Sequence, residues 1–227
     1  MSAVVEARAL SKSFGSGPRA VRAIRGVDLT LEAGAFAVLA GPSGCGKTTL
    51  LNLLGGLERP DAGSVAVGGV RLEGLDQRAL ARLRLERIGL IFQAANLVPA
   101  LTAIENAEFT LQVRGMRRAE RRRRLGALFS QLGIAGLEGR FPGEMSGGEQ
   151  QRVAVARALA GDPAIVLADE PTANLDSASA LALIGLLTAL AGANGVALLV
   201  ASHDPLVIAR ADRVLPMRDG CLEADRR

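Results

Sequence analysis

The run Gly41-Pro42-Ser43-Gly44-Cys45-Gly46-Lys47-Thr48 restricts what this chain can fold into more than any other stretch. It matches G-x-x-x-x-G-K-[ST], a pattern whose chemistry requires a strand before it and a helix after it. Both are present. Ala35 to Ala40 is a continuous apolar run suited to a strand buried on both faces, and Thr49 to Leu57 reads as a helix opening directly from the loop. In such a turn the glycines let successive N–H groups converge on phosphate oxygens. Lys47 then sets a point charge between the β- and γ-phosphates, and the Thr48 hydroxyl can ligate Mg²⁺. Cys45 sits among those N–H groups at the helix start, so its thiol is expected to react with maleimide when the site is empty and to be shielded by nucleotide.

At 227 residues the chain can bury a sizeable core as one large domain or a two-lobed one. Its 49% hydrophobic and 22% charged content excludes a disordered chain. The formal charge is +4, almost all of the positive side is arginine, and Lys12 and Lys47 are the only lysines, so Lys47 is not one of a lysine-rich surface. Cys45 and Cys221 offer no disulfide framework and no metal-ligand spacing, which makes a reducing compartment the default. Met1 to Glu6 lacks the basic region and apolar core of a secretory signal. From Ala178 to Ala201 no residue is charged, which invites a membrane span on hydropathy alone. Asn194-Gly195 breaks that stretch into a helix, Ser177 to Leu190, and a short buried strand, Val196 to Ala201.

The first third reads as strands. Val27, Leu29 and Leu31 alternate with Asp28 and Thr30, and Val65 and Val67 precede the hairpin signal Gly68-Gly69, which predicts an antiparallel element beside a parallel one. Ile88 to Phe92 is another buried strand, ending at Gln93. Helices follow: Thr102 and Glu105 form a capping box opening Ala103 to Val113, and Leu125, Leu128, Phe129 and Leu132 mark an apolar stripe that Gly133 caps. Ala164 to Ala168 returns to buried strand. Two strand-rich α/β stretches, 1–93 and 161–227, thus flank a helical insertion over 94–160. Within it Arg114, Arg117, Arg118 and Arg121 to Arg124 form a basic run that reads either as a solvated helix face or as a contact for anionic head groups or a partner's acidic loop. Nucleic acid is not expected, because no Trp or Tyr and only six Phe are available to interleave with the charges.

Three further places carry chemistry. Ser146 and Glu149 fit a helix-start capping box, yet Gly147-Gly148 occupy its first turn, where each glycine costs roughly 0.5–1 kcal/mol relative to alanine. A plain capped helix gains nothing from that; a helix end whose bare N–H groups approach a phosphate does. Asp169-Glu170 follows the strand Ile165 to Ala168, at the carboxyl end where open α/β sheets bind ligands, and Pro171 makes a helix-capping role awkward. Asp169 suits an Mg²⁺ contact and Glu170 the position that deprotonates an attacking water. His203, the one histidine, stands after the strand Val196 to Ala201. It is either a structural residue or a donor to the γ-phosphate.

These motifs, in this order and approximate spacing, resemble the ATPase subunit of ATP-binding-cassette (ABC) transporters across nearly the whole chain. The resemblance implies an α/β fold with a P-loop NTPase (RecA-like) core, an antiparallel β subdomain and a helical ABC-specific subdomain. Leu10 to Phe14 is similar to the A-loop, with Phe14 in place of the usual tyrosine that stacks on adenine. Gly41 to Thr48 is similar to Walker A, with Thr49 following as a further phosphate contact, and Gln93 to the Q-loop glutamine that reaches Mg²⁺ or the attacking water. Met145 to Glu149 is similar to the signature, with Met145 and Glu149 replacing Leu and Gln. Ile165 to Asp169 with Glu170 is similar to Walker B and its base, Asn174-Leu175-Asp176 to the D-loop, and His203 to the switch histidine.

The resemblance implies ATP and Mg²⁺, and two copies paired head to tail so that each ATP lies between the P-loop of one and the Ser146-Gly147-Gly148 helix end of the other. It further implies integral membrane permease subunits as partners and a peripheral place on the cytoplasmic face of the membrane. Asn96 to Pro99, Ala168 to Asp176 and Met217 to Gly220 resemble the lipoprotein-releasing and macrolide-export group, although amino-acid importer ATPases share most of this text. Two other readings remain open: a soluble ABC ATPase acting on nucleic acid or ribosomes, and an ATP-dependent regulatory scaffold on a membrane protein. Against the first stand the lack of a long coiled coil, of a zinc-type cysteine set and of a second cassette.

Overall fold

In the computed structural model, which describes residues 3–225, the apolar runs assemble into a six-stranded sheet of order β10-β9-β3-β8-β7-β6. Here β3 is Phe36–Ala40, β6 Ile88–Ile91, β7 Ile165–Asp169, β8 Ala197–Ser202, β9 Arg213–Arg218 and β10 Cys221–Leu222. All neighbours are parallel except β10, which turns back antiparallel on β9. A second, antiparallel sheet of order β2-β1-β4-β5 is built from β1 (Ala3–Phe14), β2 (Val21–Glu32), β4 (Ala62–Val67) and β5 (Val70–Arg71). Its β4–β5 hairpin turns on Gly68 and Gly69, both at positive φ (56° and 78°), as a tight two-residue turn with right-handed strand twist demands.

The period-two geometry of strands splits the parallel sheet's side chains between two cores. From β3, β7 and β8, Val38, Val166, Ala168, Leu198 and Val200 face one core, closed by the helices α3 (Ala103–Val113), α4 (Arg118–Gln131), α5 (Gly147–Leu159) and α6 (Ser177–Ala193). Ala37, Leu39, Ile165, Leu167, Leu199 and Ala201 face the other, closed by the antiparallel sheet, α1 (Lys47–Leu54) and α2 (Gln77–Arg87). The carboxyl ends of β3, β7 and β8 therefore open on one edge between these layers. A seventh helix, α7 (Pro205–Ile208), follows β8.

Several boundaries differ from the sequence reading. Helix α1 begins at Lys47, two positions before Thr49, and ends at Leu54 rather than Leu57. Helix α6 runs on to Ala193, where Asn194 donates to the Leu190 carbonyl (2.7 Å) and Gly195 reverses the chain at φ 65°. No helix among the described residues is long and apolar enough to cross a membrane. Helix α2 lies inside the stretch read as strands: Asp76 caps it by accepting from Ala79 N at 2.7 Å, and Leu80 and Leu83 anchor it. The capping box at Thr102 and Glu105 is formed. At the end of α4, Gly133 (φ 67°) lets its own N–H and that of Ile134 bond to the carbonyls of Ser130 (3.1 Å) and Phe129 (2.9 Å).

The arginine run is neither a plain solvated face nor an open basic patch. Arg121 and Arg122 both reach Glu108, which is buried at 4% exposure, at 3.2 and 3.3 Å. Arg124 pairs with Asp162, and Arg114 donates to the Gly161 carbonyl at 2.7 Å. These contacts fasten α4 to α3, and both helices to the segment between α5 and β7, while Arg114, Arg117, Arg118 and Arg123 stay exposed.

Candidate active site

The loop between β3 and α1 is shaped by two close approaches. Gly46 holds φ 112° and a Cβ there would lie 2.5 Å from the Ala23 carbonyl oxygen, while a Cβ on Gly41 would run into the Met217 carbonyl. Only glycine fits at either place. Because Gly46 is also the N-cap, no side chain satisfies the first-turn N–H groups of α1. An uncapped helix start with its positive dipole end is an anion seat. Lys47 is 6% exposed, and its Nζ donates to the carbonyls of Gly41 (2.7 Å) and Pro42 (3.1 Å), with Glu170 Oε1 at 3.7 Å.

The loop forms one wall of an open cleft of about 400 Å³. Ser43, Gly44, Cys45, Gly46, Lys47, Thr48 and Thr49 line it together with Gln93, Asp169 and Glu170, so most of the residues singled out in the sequence meet here. Cys45 is the exception in character: its residue is buried at 6% exposure and packs in the core beneath the loop. That argues against the ready maleimide reactivity expected from its position in the sequence.

The two carboxylates behave differently. Asp169 Oδ2 accepts from Thr48 Oγ1 at 2.8 Å, whereas its Oδ1 is buried without a hydrogen-bond partner. Burial raises the Asp169 carboxyl above the ordinary aspartate range, with Glu170 adding to the rise and Thr48 and Lys47 opposing it. An unpartnered buried carboxylate oxygen beside a threonine hydroxyl is a hard-oxygen donor set, which suits Mg²⁺ supplemented by phosphate and water ligands. Glu170 stands at φ 44°, unusual for a side chain larger than glycine, with its N–H held by the Ala201 carbonyl at 3.0 Å. This geometry turns Glu170 Oε1 to within 2.9 Å of His203 Nδ1.

Gln93 is tied at its backbone. Asn174 Nδ2 donates to the Gln93 carbonyl (3.3 Å) and the buried Gln151 donates to the preceding Phe92 carbonyl (3.0 Å). Gln151, on α5, was not singled out in the sequence; its burial is set by tertiary packing and leaves no mark in the local pattern.

The structure does not bring the remaining sequence candidates into this cleft. At α5, Ser146 Oγ accepts from Glu149 N (3.3 Å) and Glu149 Oε2 accepts from Ser146 N (2.7 Å), so the capping box is formed. Those backbone and side-chain hydrogen bonds from Ser146 hold the Glu149 carboxyl below the usual range. Gly147 nevertheless has open space where a Cβ would stand. Asp176 caps α6 by accepting from Ala178 N and Ser179 N, both at 3.0 Å. Phe14, at the end of β1, is 42% exposed and only its register partner Val21 lines the cleft. Conversely, Val21, Arg22, Ala23, Arg25, Asp219 and Gly220 form a second wall that the sequence did not announce as a site. Asp219-Gly220 could have been found as a turn at the carboxyl end of a strand beside β3. Nothing in β2 itself signals the contribution of Arg22 or Arg25.

A family model described as "ABC transporter" matches residues 24–173. The chain is 45% identical over 222 residues, 98% of its length, to a macrolide export ATP-binding/permease protein of Hyphomonas neptunium, and 44% identical over 93% of its length to an uncharacterized ABC transporter ATP-binding protein of Mycobacterium tuberculosis. It spans only 34% and 64%, respectively, of those two relatives. Among solved structures it resembles the ATP-binding cassette MJ0796, in a dimeric post-hydrolysis state bound to ADP and Pi, with 36% identity, a TM-score of 0.91 and 98% of each chain covered. A parallel sheet with a P-loop, an antiparallel sheet on one face and helices on the other, matched over this span and at this identity, places the chain in the ABC transporter family as an ATPase cassette.

Proposed function

We propose that this cassette is the ATP-hydrolysing part of a membrane transporter of the export or lipoprotein-release type, working on the cytoplasmic face through separate integral membrane permease subunits. In this reading 1–93 and 161–227 form the nucleotide-binding core and 94–160 the helical lobe. Two copies pair head to tail, each ATP held between Gly41 to Thr49 of one and Ser146 to Glu149, with Asp176 nearby, of the other. The observation that carries it is the α5 terminus, whose Gly147 faces open space and which takes no part in the cleft of its own chain. A glycine-bare helix start standing unused in the first turn makes sense as half of a site completed by another molecule.

The chain's own residues supply the chemistry. Lys47 exchanges the carbonyls of Gly41 and Pro42 for phosphate oxygens, and the free N–H groups of α1 cradle the same phosphates. Each such charge-assisted contact is worth about 1.5–3 kcal/mol, so several of them across a shared γ-phosphate drive closure and their loss on hydrolysis allows reopening. Thr48, Asp169 and Gln93 would hold Mg²⁺, which would neutralise phosphate charge when bound. Glu170 takes the proton of the attacking water, and His203 holds Glu170 and reaches toward the γ-phosphate. Phe14 offers its ring to the adenine.

The test is Glu170→Gln with MgATP, followed by light scattering and phosphate release. The expected result is a stable dimer with turnover reduced at least about a hundredfold. A variant that hydrolyses at the unmodified rate, or stays monomeric at saturating ATP, overturns the reading. Stimulation of the unmodified protein by a co-purified permease separates transport from action on nucleic acid.

A further inference from the structure

We infer that Lys12 is a positioning residue for nucleotide-base binding, holding the Phe14 ring from one face so that the rest of its exposed surface is presented to the base; the inference rests on the reading of Phe14 as the base-stacking ring. Lys12 is one of only two lysines in the chain. Its side chain is 14% exposed and its Nζ donates to the Arg59 carbonyl at 2.8 Å, with Glu58 and Asp61 carboxylates at 3.3 and 3.4 Å. One donor of the ammonium goes to the carbonyl, and the two carboxylates pair with its charge. The group is therefore fixed in place, and it is fixed 5.4 Å from the centre of the Phe14 ring.

The surrounding geometry gives that contact a purpose. Lys12 and Phe14 are two apart on β1, and the ammonium lies over the ring although the β1–β2 pairing shifts register between Lys12 and Ser13. Asp61 also accepts from Ser13 N at 2.7 Å and donates its own N–H to the Ser11 carbonyl at 2.9 Å, so the strand end is clamped on both sides of Lys12. Phe14 pairs in register with Val21, which lines the nucleotide cleft. A phenylalanine has no hydroxyl with which to anchor itself, and at 42% exposure little packing fixes it. A cation over one face supplies the missing restraint and draws on the negative face of the ring, while a base stacks on the other.

The experiment measures binding of ATP and of inorganic tripolyphosphate to the full chain, its Lys12→Met, Lys12→Arg and Phe14→Ala variants, and the Lys12→Met/Phe14→Ala double variant. The expected result is that Lys12→Met weakens ATP about two- to fivefold, as a partly exposed cation–π pair would. It leaves tripolyphosphate unchanged, Lys12→Arg restores ATP binding, and Lys12→Met adds nothing once Phe14 is alanine. Equal weakening of ATP and tripolyphosphate assigns Lys12 to the fold or to bulk charge and overturns the proposal. So does a loss with Phe14→Ala but none with Lys12→Met, which leaves the stacking reading of Phe14 standing; silence of both variants overturns the two together. Should Lys12→Met not fold, Lys12→Gln keeps a donor for Arg59 without the charge and is read by the same outcomes.

Discussion

His203 Nδ1 and Glu170 Oε1 stand 2.9 Å apart, joining the end of β8 to the end of β7 across adjacent parallel strands. The histidine is 62% exposed at its side chain while the glutamate is 15% exposed, so the pair spans from solvent to the cleft floor. Lys47 approaches the same Glu170 oxygen at 3.7 Å. In the proposed mechanism Glu170, held by His203 on one side and by the phosphate-loop lysine on the other, is released for proton transfer when the lysine turns to phosphate.

The pair should act as a unit. Glu170→Gln is expected to lower turnover about a hundredfold or more, and His203→Ala to lower it by less, since Glu170 remains present. Residues that work together give non-additive losses, so the double variant should turn over within about threefold of Glu170→Gln alone. Steady-state phosphate release at saturating MgATP decides this. Multiplied losses would assign His203 a role independent of Glu170.

Asp169 makes a prediction about stability and pH. Its carboxyl titrates above the ordinary aspartate range because it is buried, so in the folded state it binds a proton that the unfolded chain has already released. Stability therefore falls as pH rises from the ordinary aspartate value through the raised one, and the cost of the buried charge persists above that window. Asp169→Asn should raise the melting temperature of the nucleotide-free protein at pH 7 to 8, give no such gain at pH 3, and lose the extra stabilisation conferred by Mg²⁺ with ATP. Thermal melts at these pH values check it; a melting temperature lowered at pH 7 would mean that Asp169 serves the fold rather than the site.

How far the sequence could be read depends on where each signal resides. Ala35 to Ala40 and Ile165 to Ala168 were legible because strands buried on both faces must be continuously apolar, and the loop was legible because its glycines answer to local sterics. Helix α2 was not: only Leu80 and Leu83 of Gln77–Arg87 are buried, and four arginines dilute the pattern, leaving the Asp76 cap as its one clue. The fate of the arginine run was hidden for another reason. Its partners Glu108 and Asp162 lie on other elements, and only tertiary packing brings them within reach. The β2 wall of the cleft is likewise a product of how the antiparallel sheet closes over the loop. The left-handed turn at Glu170 is carried by no residue preference at all.

The Glu108 cluster should be costly to break. Glu108 is buried and answers two guanidinium groups, and Arg122 Nε already lacks a partner. Glu108→Ala leaves Arg121, itself 12% exposed, as an uncompensated charge. Removing one member of a buried pair costs about 3–5 kcal/mol; because Arg122 can turn to water, the lower end applies. For a chain of this size that corresponds to a melting temperature lower by roughly 6–12 °C. A shift under 2 °C by calorimetry, on the same scale, would return the cluster to the class of solvated surface pairs.

Ser146 offers a way to separate a helix cap from a phosphate contact. Its Oγ accepts from Glu149 N, so Ser146→Ala should cost about 1 kcal/mol through the lost cap and lower the melting temperature by roughly 2–4 °C. It should also abolish the ATP-dependent dimer that Glu170→Gln accumulates. Both effects alone would be ambiguous, since a frayed α5 could fail to dimerise for structural reasons. Aspartate caps a helix as well as serine does but brings a charge that repels a phosphate at the same place. Ser146→Asp should therefore recover the melting temperature lost in Ser146→Ala while leaving the protein monomeric at saturating MgATP. If light scattering shows the aspartate variant dimerising as the unmodified Glu170→Gln protein does, Ser146 only caps its helix and the γ-phosphate is bound elsewhere.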